Sequence, residues 1–122
     1  MAVDYKQLLK EYKIQNIKRG DIYEINIPDF VGSEQGGKRY CLVIQNNVGN
    51  IHSPTVIVAF ITSKIQKKRL PTHYEICLER PSIVLCEQIR TIDKRRLGRY
   101  VATLTDEQMR AINECLKVSL DL

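Results

Sequence analysis

The stretch Gly32, Ser33, Glu34, Gln35, Gly36, Gly37, Lys38, Arg39 is where residue types and spacing could do chemistry in this sequence. Its glycines and polar side chains make a loop whose backbone amides can approach an anion. No helix follows it, so it is not a phosphate loop of the nucleotide-binding kind. The loop delivers a guanidinium, Arg39, to the start of the apolar, β-branched run Tyr40–Gln45. A charge there is costly unless it is paired or used. Two readings stand open: Arg39 pairs with Glu34 or Glu87, or it clamps a phosphate through its planar fork. The histidines, His52 and His73, rank lower. One falls in a turn, the other follows Pro71 and Thr72 at a strand start, and no carboxylate evidently orients either.

Other chemistries find no residues. There is no Walker loop, no HExxH and no GxSxG. Cys41, Cys77, Cys86 and Cys115 form no CxxC pair and sit among apolar neighbours, where free cysteine acts as a small hydrophobe. Neither they nor the histidines have metal-ligand spacing, so we expect no metal and no cofactor. The formal net charge of +5 suits a polyanionic partner but decides little alone. Its placement says more. Lys64, Lys67, Lys68 and Arg69 form one cluster, and Lys94, Arg95, Arg96 and Arg99 another. Either could be a merely solvated face; together, flanking a β-rich core, they resemble a footprint for nucleic acid.

The elements that must position these residues follow from periodicity. Tyr5, Leu8, Leu9 and Tyr12 fit a short amphipathic helix over residues 4–15, with Asp4 as its cap. The period then changes: Ile22, Glu24 and Asn26 alternate with Tyr23, Ile25 and Ile27 in an extended segment that Pro28 ends. Tyr40–Gln45 and Val56–Ile61 read as central strands, separated by a turn through Gly49, Asn50, Ser53 and Pro54. Shorter strands are expected at His73–Leu78 and Ile83–Ile89, joined near Pro81 and Ser82, and another at Arg99–Leu104. Thr105 and Gln108 make a capping box for a final helix whose buried stripe is Met109, Ile112 and Leu116. The sum is an α+β chain: a small, strongly curved β-barrel with a helix at each end. A chain of 122 residues is one domain's length. No apolar run reaches the roughly 20 residues of a membrane span, and the charged N-terminus does not read as a signal peptide. We therefore expect a cytoplasmic protein with no membrane contact.

Several motifs together carry a resemblance. Lys18 to Tyr23, Gly32 to Gly37, Arg39, Leu42 to Asn46, Gly49 with Asn50, Ser53 to Thr55, and Glu87 to Lys94 resemble the MazF/PemK toxins, in order, from about Ile17 to the C-terminus. The resemblance implies an SH3-like barrel with a C-terminal helix over residues 17–122, preceded by an extra N-terminal helix at 1–16. It implies a homodimer that cuts single-stranded mRNA in a sequence-specific, metal-independent way. It also implies a cognate antitoxin with an acidic disordered tail, and an antitoxin complex able to bind operator DNA. The family's catalytic arginine falls on Arg39 and its catalytic threonine on Thr62. RNA binding falls on Ser33, Glu34 and Gln35, with Asn46, Glu87 and Gln88 nearby.

Three departures are visible. Tyr40 stands where many relatives have proline, the connection from Ile76 to Cys86 is several residues shorter, and the N-terminal segment is extra. Fold alone admits two other readings. One is a gyrase poison of CcdB type that cuts nothing; the other is a silent member that binds antitoxin or operator DNA. The Arg39 and Thr62 pair beside a basic groove is the feature an RNA cutter needs and a gyrase binder does not.

Overall fold

The structure, a computed structural model, describes residues 16–64 and 69–122. The expected helix over residues 4–15 and the lysines Lys67 and Lys68 lie outside the described residues. Strands β1 (Asp21–Ile27), β2 (Gly37–Val43), β3 (Thr55–Thr62), β4 (His73–Cys77), β5 (Pro81–Asp93) and β6 (Leu97–Thr103) form one sheet. Their order is β4-β5-β3-β2-β1-β6 and every pairing is antiparallel. The sheet curls into a half-barrel, with β4 and β6 at its edges. It carries helices α1 (Asn47–His52) and α2 (Asp106–Leu120), and a 3-10 turn at Lys94–Arg96. Among the described residues no helix is long and apolar enough to cross a membrane.

Alternation explains how the sheet builds a core on each face. Ile22 of β1, Leu42 of β2, and Ala59 and Ile61 of β3 join Met109, Ile112 and Cys115 of α2 in one cluster. Tyr23, Ile25, Ile27, Cys41, Val43, Val56, Val58 and Phe60 point the other way and pack together with Ile92. Strand β3 is thus buried on both faces, which is why its sequence is continuously apolar rather than alternating. Arg19 ties α2 to the sheet: its Nε donates to the Ile44 carbonyl at 2.9 Å and its Nη2 to Asn113 Oδ1 at 2.7 Å.

Helix α2 starts at the expected capping box. The Thr105 hydroxyl accepts from the Gln108 backbone at 3.1 Å, and the Gln108 side chain accepts from the Thr105 backbone at 2.8 Å. Thr105→Ala removes one of these caps and should cost about 1 kcal/mol, lowering Tm by roughly 4 °C in a domain of this size. A thermal melt of the variant beside wild type measures it.

Three expectations need correction. The turn expected at residues 49–54 is largely helix α1. Asn46 caps it, its Oδ1 accepting from Gly49 N at 2.8 Å, and the buried Asn50 side chain bonds back to the Gln45 carbonyl at 2.9 Å. Strand β5 does not stop at Ile89 but runs on to Asp93. It also bulges: Phe60 pairs with Leu85 and Ala59 with Ile89, leaving Cys86, Glu87 and Gln88 unopposed. Finally, Lys94 is not part of a surface patch. It is buried, and its ammonium donates to the Asn50 carbonyl, clamping α1 to the end of β5. Burial holds its pKa below the usual lysine value.

Candidate active site

The β2–β3 ladder brings the two proposed catalytic residues together. Its register pairs Val43 with Val58, Leu42 with Ala59, Cys41 with Phe60 and Tyr40 with Ile61. One step further along the same register, Arg39 stands opposite Thr62. Both line one groove at this end of the sheet, with a cavity volume of about 580 Å³. Strand alternation puts the two side chains on the same face.

Arg39 has neither of the carboxylate partners weighed for it. Its Nε donates to Gln35 Oε1 at 3.4 Å and its Nη1 to the Lys38 carbonyl at 3.1 Å, both neutral acceptors. The guanidinium is held in place and its charge is left uncompensated among the described residues. Thr62 is buried, and its Oγ1 accepts from the Lys64 backbone at 3.1 Å. Because a hydroxyl has one proton and two lone pairs, that contact leaves the Thr62 proton free to be donated.

The groove wall is cationic. Lys38, Lys64, Arg80 and Arg96 join Arg39 against two carboxylates, Glu24 and Glu79. The charge clusters expected from the sequence contribute unevenly to it. Among the described residues, Lys64 of the first and Arg96 of the second line the groove. Arg69 pairs with Glu75, Arg95 with Asp93 at 2.9 Å, and Arg99 with Glu24 at 2.9 Å. Asp29 reaches both Arg90 at 3.2 Å and Arg96 at 3.6 Å, fastening the base of the β1–β2 loop. That carboxyl is held below the usual aspartate range by its own backbone first and by Arg90 next.

Of Ser33, Glu34 and Gln35, none is among the residues that line the groove, and Gln35 alone contacts one that is, Arg39. Glu34 folds back on its own turn, its Oε1 accepting from Val31 N at 2.6 Å. Asn46 is not among the lining residues; its side chain is spent on capping α1. Glu87, projected by the β5 bulge, accepts from the Thr72 hydroxyl at 3.0 Å and meets His73 Nε2 at 2.9 Å. His73 therefore does have an orienting carboxylate, contrary to expectation. The hairpin about Pro81 alone pairs His73 with Leu85, and it is the bulge that carries Glu87 back to the ring. Gln88 follows in the same bulge; neither Glu87 nor Gln88 lines the groove, and nor does His52, which ends α1.

The connection that looked short is a tight one. Cys77 pairs with Pro81, and the Leu78 amide donates to the Arg80 carbonyl at 3.2 Å, which brings Leu78, Glu79 and Arg80 to the groove. Neither the cysteines nor a metal suggests another chemistry. Burial pushes the Cys41 and Cys86 thiols up to about 12, where they are poor nucleophiles. Cys77, by contrast, is exposed rather than packed in the core. No three histidine, cysteine or acidic side chains gather as a metal site among the described residues.

Comparison with known proteins decides the family. The model of the PemK-like, MazF-like toxins of type II toxin–antitoxin systems matches residues 18–120. The chain belongs to this family. It is 54% identical over 111 residues to the endoribonuclease EndoA of Bacillus subtilis, covering 87% of this chain and 96% of that protein. Among solved structures, an endoribonuclease in complex with its cognate antitoxin from a mycobacterial species superposes with a TM-score of 0.74 at 25% identity. That match covers 87% of this chain and 96% of the other. MazF from Deinococcus radiodurans gives 0.75 at 22% identity, over 88% and 99%, and speaks for the shared fold alone. The MazF/PemK likeness begins where the described fold begins, and the first residues fall outside the matched span.

Proposed function

We propose that the groove is the active site of an endoribonuclease, the toxin of a toxin–antitoxin pair, acting on single-stranded mRNA in the cytoplasm. One observation carries this reading: a guanidinium, Arg39, without a carboxylate partner among the described residues shares a cationic groove with a threonine hydroxyl that has a proton to donate. The close relative's activity agrees with it. The chemistry that suits these groups needs no cofactor. The ribose 2′-hydroxyl attacks its own phosphodiester, the bond to the 5′-oxygen breaks, and the ends are a 2′,3′-cyclic phosphate and a 5′-hydroxyl. Arg39 stabilises charge on the phosphorane, and Thr62 donates to a phosphate oxygen. A guanidinium keeps its proton at neutral pH, so Arg39 acts as a donor and not as the base. To Ser33, Glu34 and Gln35 on the loop, and Glu87 and Gln88 on the bulge, this reading assigns contacts to the RNA beyond the groove itself, and Gln35 supports it by its contact with Arg39.

The same reading extends to the assembly. Residues 17–122 are the toxin domain, an SH3-like barrel in its six-stranded, curled form, and residues 1–16 are an added segment. Ile44, Ile57, Ile89, Leu116, Leu120 and Leu122 line an apolar groove between α2 and the sheet, on the face away from Arg39, which suits a homodimer contact. An antitoxin with an acidic, disordered tail would satisfy the cations of the active groove and exclude RNA. The toxin–antitoxin complex would then be the species that binds operator DNA.

A digest of single-stranded RNA in excess EDTA tests the central claim. No histidine, cysteine and carboxylate set among the described residues could hold a divalent ion, so cleavage should persist and leave 5′-hydroxyl ends. Activity that disappears with chelator and returns with magnesium would overturn the mechanism. No cutting at all, with antitoxin binding intact, would favour the silent binder instead.

A further inference from the structure

The groove is not uniformly polar. Tyr40, Ile61 and Leu78 line it alongside the five cations. Tyr40 and Leu78 are only partly buried: each packs one side against the core cluster beneath α2 and leaves the rest to the groove. Tyr40 is the one aromatic among the groove's lining residues. Its hydroxyl has no hydrogen-bond partner among the described residues, so nothing there dictates a purely structural role for the phenol.

Consecutive residues on a strand point to opposite faces. At the end of β2 this separates the guanidinium of Arg39 from the ring of Tyr40, with only one backbone step between them. A nucleotide has the same division, an anionic phosphodiester on one side of the ribose and a flat, weakly polar base on the other. Proteins that hold single strands combine a cationic track with aromatic rings on which bases stack. We propose that Tyr40 is the stacking platform for a base flanking the scissile phosphodiester. The phosphate lies on Arg39 and Thr62, and the neighbouring base turns across the strand end onto the Tyr40 ring, with Ile61 and Leu78 extending the apolar shelf. The inference rests on reading the groove as an RNA site. It makes Tyr40 a determinant of substrate choice rather than of the chemical step.

The chain has no tryptophan, so Tyr40→Trp introduces a unique fluorophore at the proposed platform. The probe is a single-stranded RNA oligonucleotide spanning a mapped cleavage site, with a 2′-deoxyribose at that site to prevent cutting. Binding should quench the Trp emission. Removing the flanking base, as an abasic nucleotide on one side or the other, should abolish the quench while the oligonucleotide still binds. In steady-state cleavage of the all-ribose oligonucleotide, Tyr40→Ala should raise KM by on the order of tenfold, the scale of losing one stacked base. The kcat should change far less, and Tyr40→Phe should restore most of the loss. A quench that survives both abasic substitutions, a wild-type KM in Tyr40→Ala, or a Phe variant as impaired as Ala would each overturn the proposal. Should Tyr40→Ala fail to fold by thermal melt, the Trp and Phe measurements still decide it. None of these outcomes touches the wider reading, which fails only if the wild-type protein cuts no RNA.

Discussion

Arg39→Ala should lower turnover by a factor on the order of 10² or more, the usual scale for removing one donor that acts on transition-state charge in a shielded site. The structure supplies the reason for so large an effect. Arg39 is held by Gln35 and by the Lys38 carbonyl, and no carboxylate shares its charge among the described residues. Its removal therefore takes away a pre-oriented cation and breaks no ion pair on which folding depends. The variant should melt close to wild type, separating a catalytic loss from a structural one. Thr62→Ala should impair turnover too, by less, because the hydroxyl contributes a neutral hydrogen bond rather than a charge. Single-turnover cleavage of a defined oligonucleotide gives both numbers. Wild-type turnover from purified Arg39→Ala would remove this residue from the mechanism.

Replacing one ribose with deoxyribose on the 5′ side of the scissile phosphate should abolish cleavage there and leave other sites untouched. In the proposed mechanism the attacking atom is the substrate's own 2′-oxygen, so no rearrangement of the protein can compensate for its loss. All-DNA oligonucleotides should still bind, because the cations of the groove see phosphates in either polymer. Denaturing electrophoresis of end-labelled strands reads the result directly. Persistent cutting at the substituted position would mean that water or a side chain is the nucleophile.

How much of this could be read in the sequence depended on how local the cause was. Strand β3 was plain because it is a continuous apolar, β-branched run; β2 was legible through the apolar Tyr40 to Val43, while its first residues, Gly37 and Lys38, read as loop. Helix α2 was plain because its capping box lies within four residues. Arg39 was conspicuous as a charge at the mouth of a buried strand. Helix α1 was hidden because Gly49 and Asn50 have turn propensity; what stabilises the helix is the Asn46 cap and the Lys94 clamp, which come from the fold. The same distance hid Lys94 itself, since a lysine between Asp93 and Arg95 looks solvated until α1 closes over it. The His73–Glu87 contact required both a hairpin and a bulge, and the bulge has no glycine to announce it. The partners of Arg39 escaped for a simpler reason: its neighbours in sequence, Gln35 and Lys38, are also its neighbours in space, and the charged candidates were elsewhere engaged.

The pairing of β1 with β6 has a consequence for the chain as it is made. Ile22 meets Ala102 and Ile25 meets Leu97, so the sheet's seam joins segments separated by most of the polypeptide. Arg96 and Gly98, at that far end, also line the groove that Glu24 and Arg39 open. During synthesis, at about 5–20 residues per second, β1 emerges early and waits several seconds as an unpaired edge. The groove cannot be complete before Gly98, about four fifths of the way along these 122 residues, has left the ribosome. An endoribonuclease is thereby kept without its groove until the β6 segment has been made.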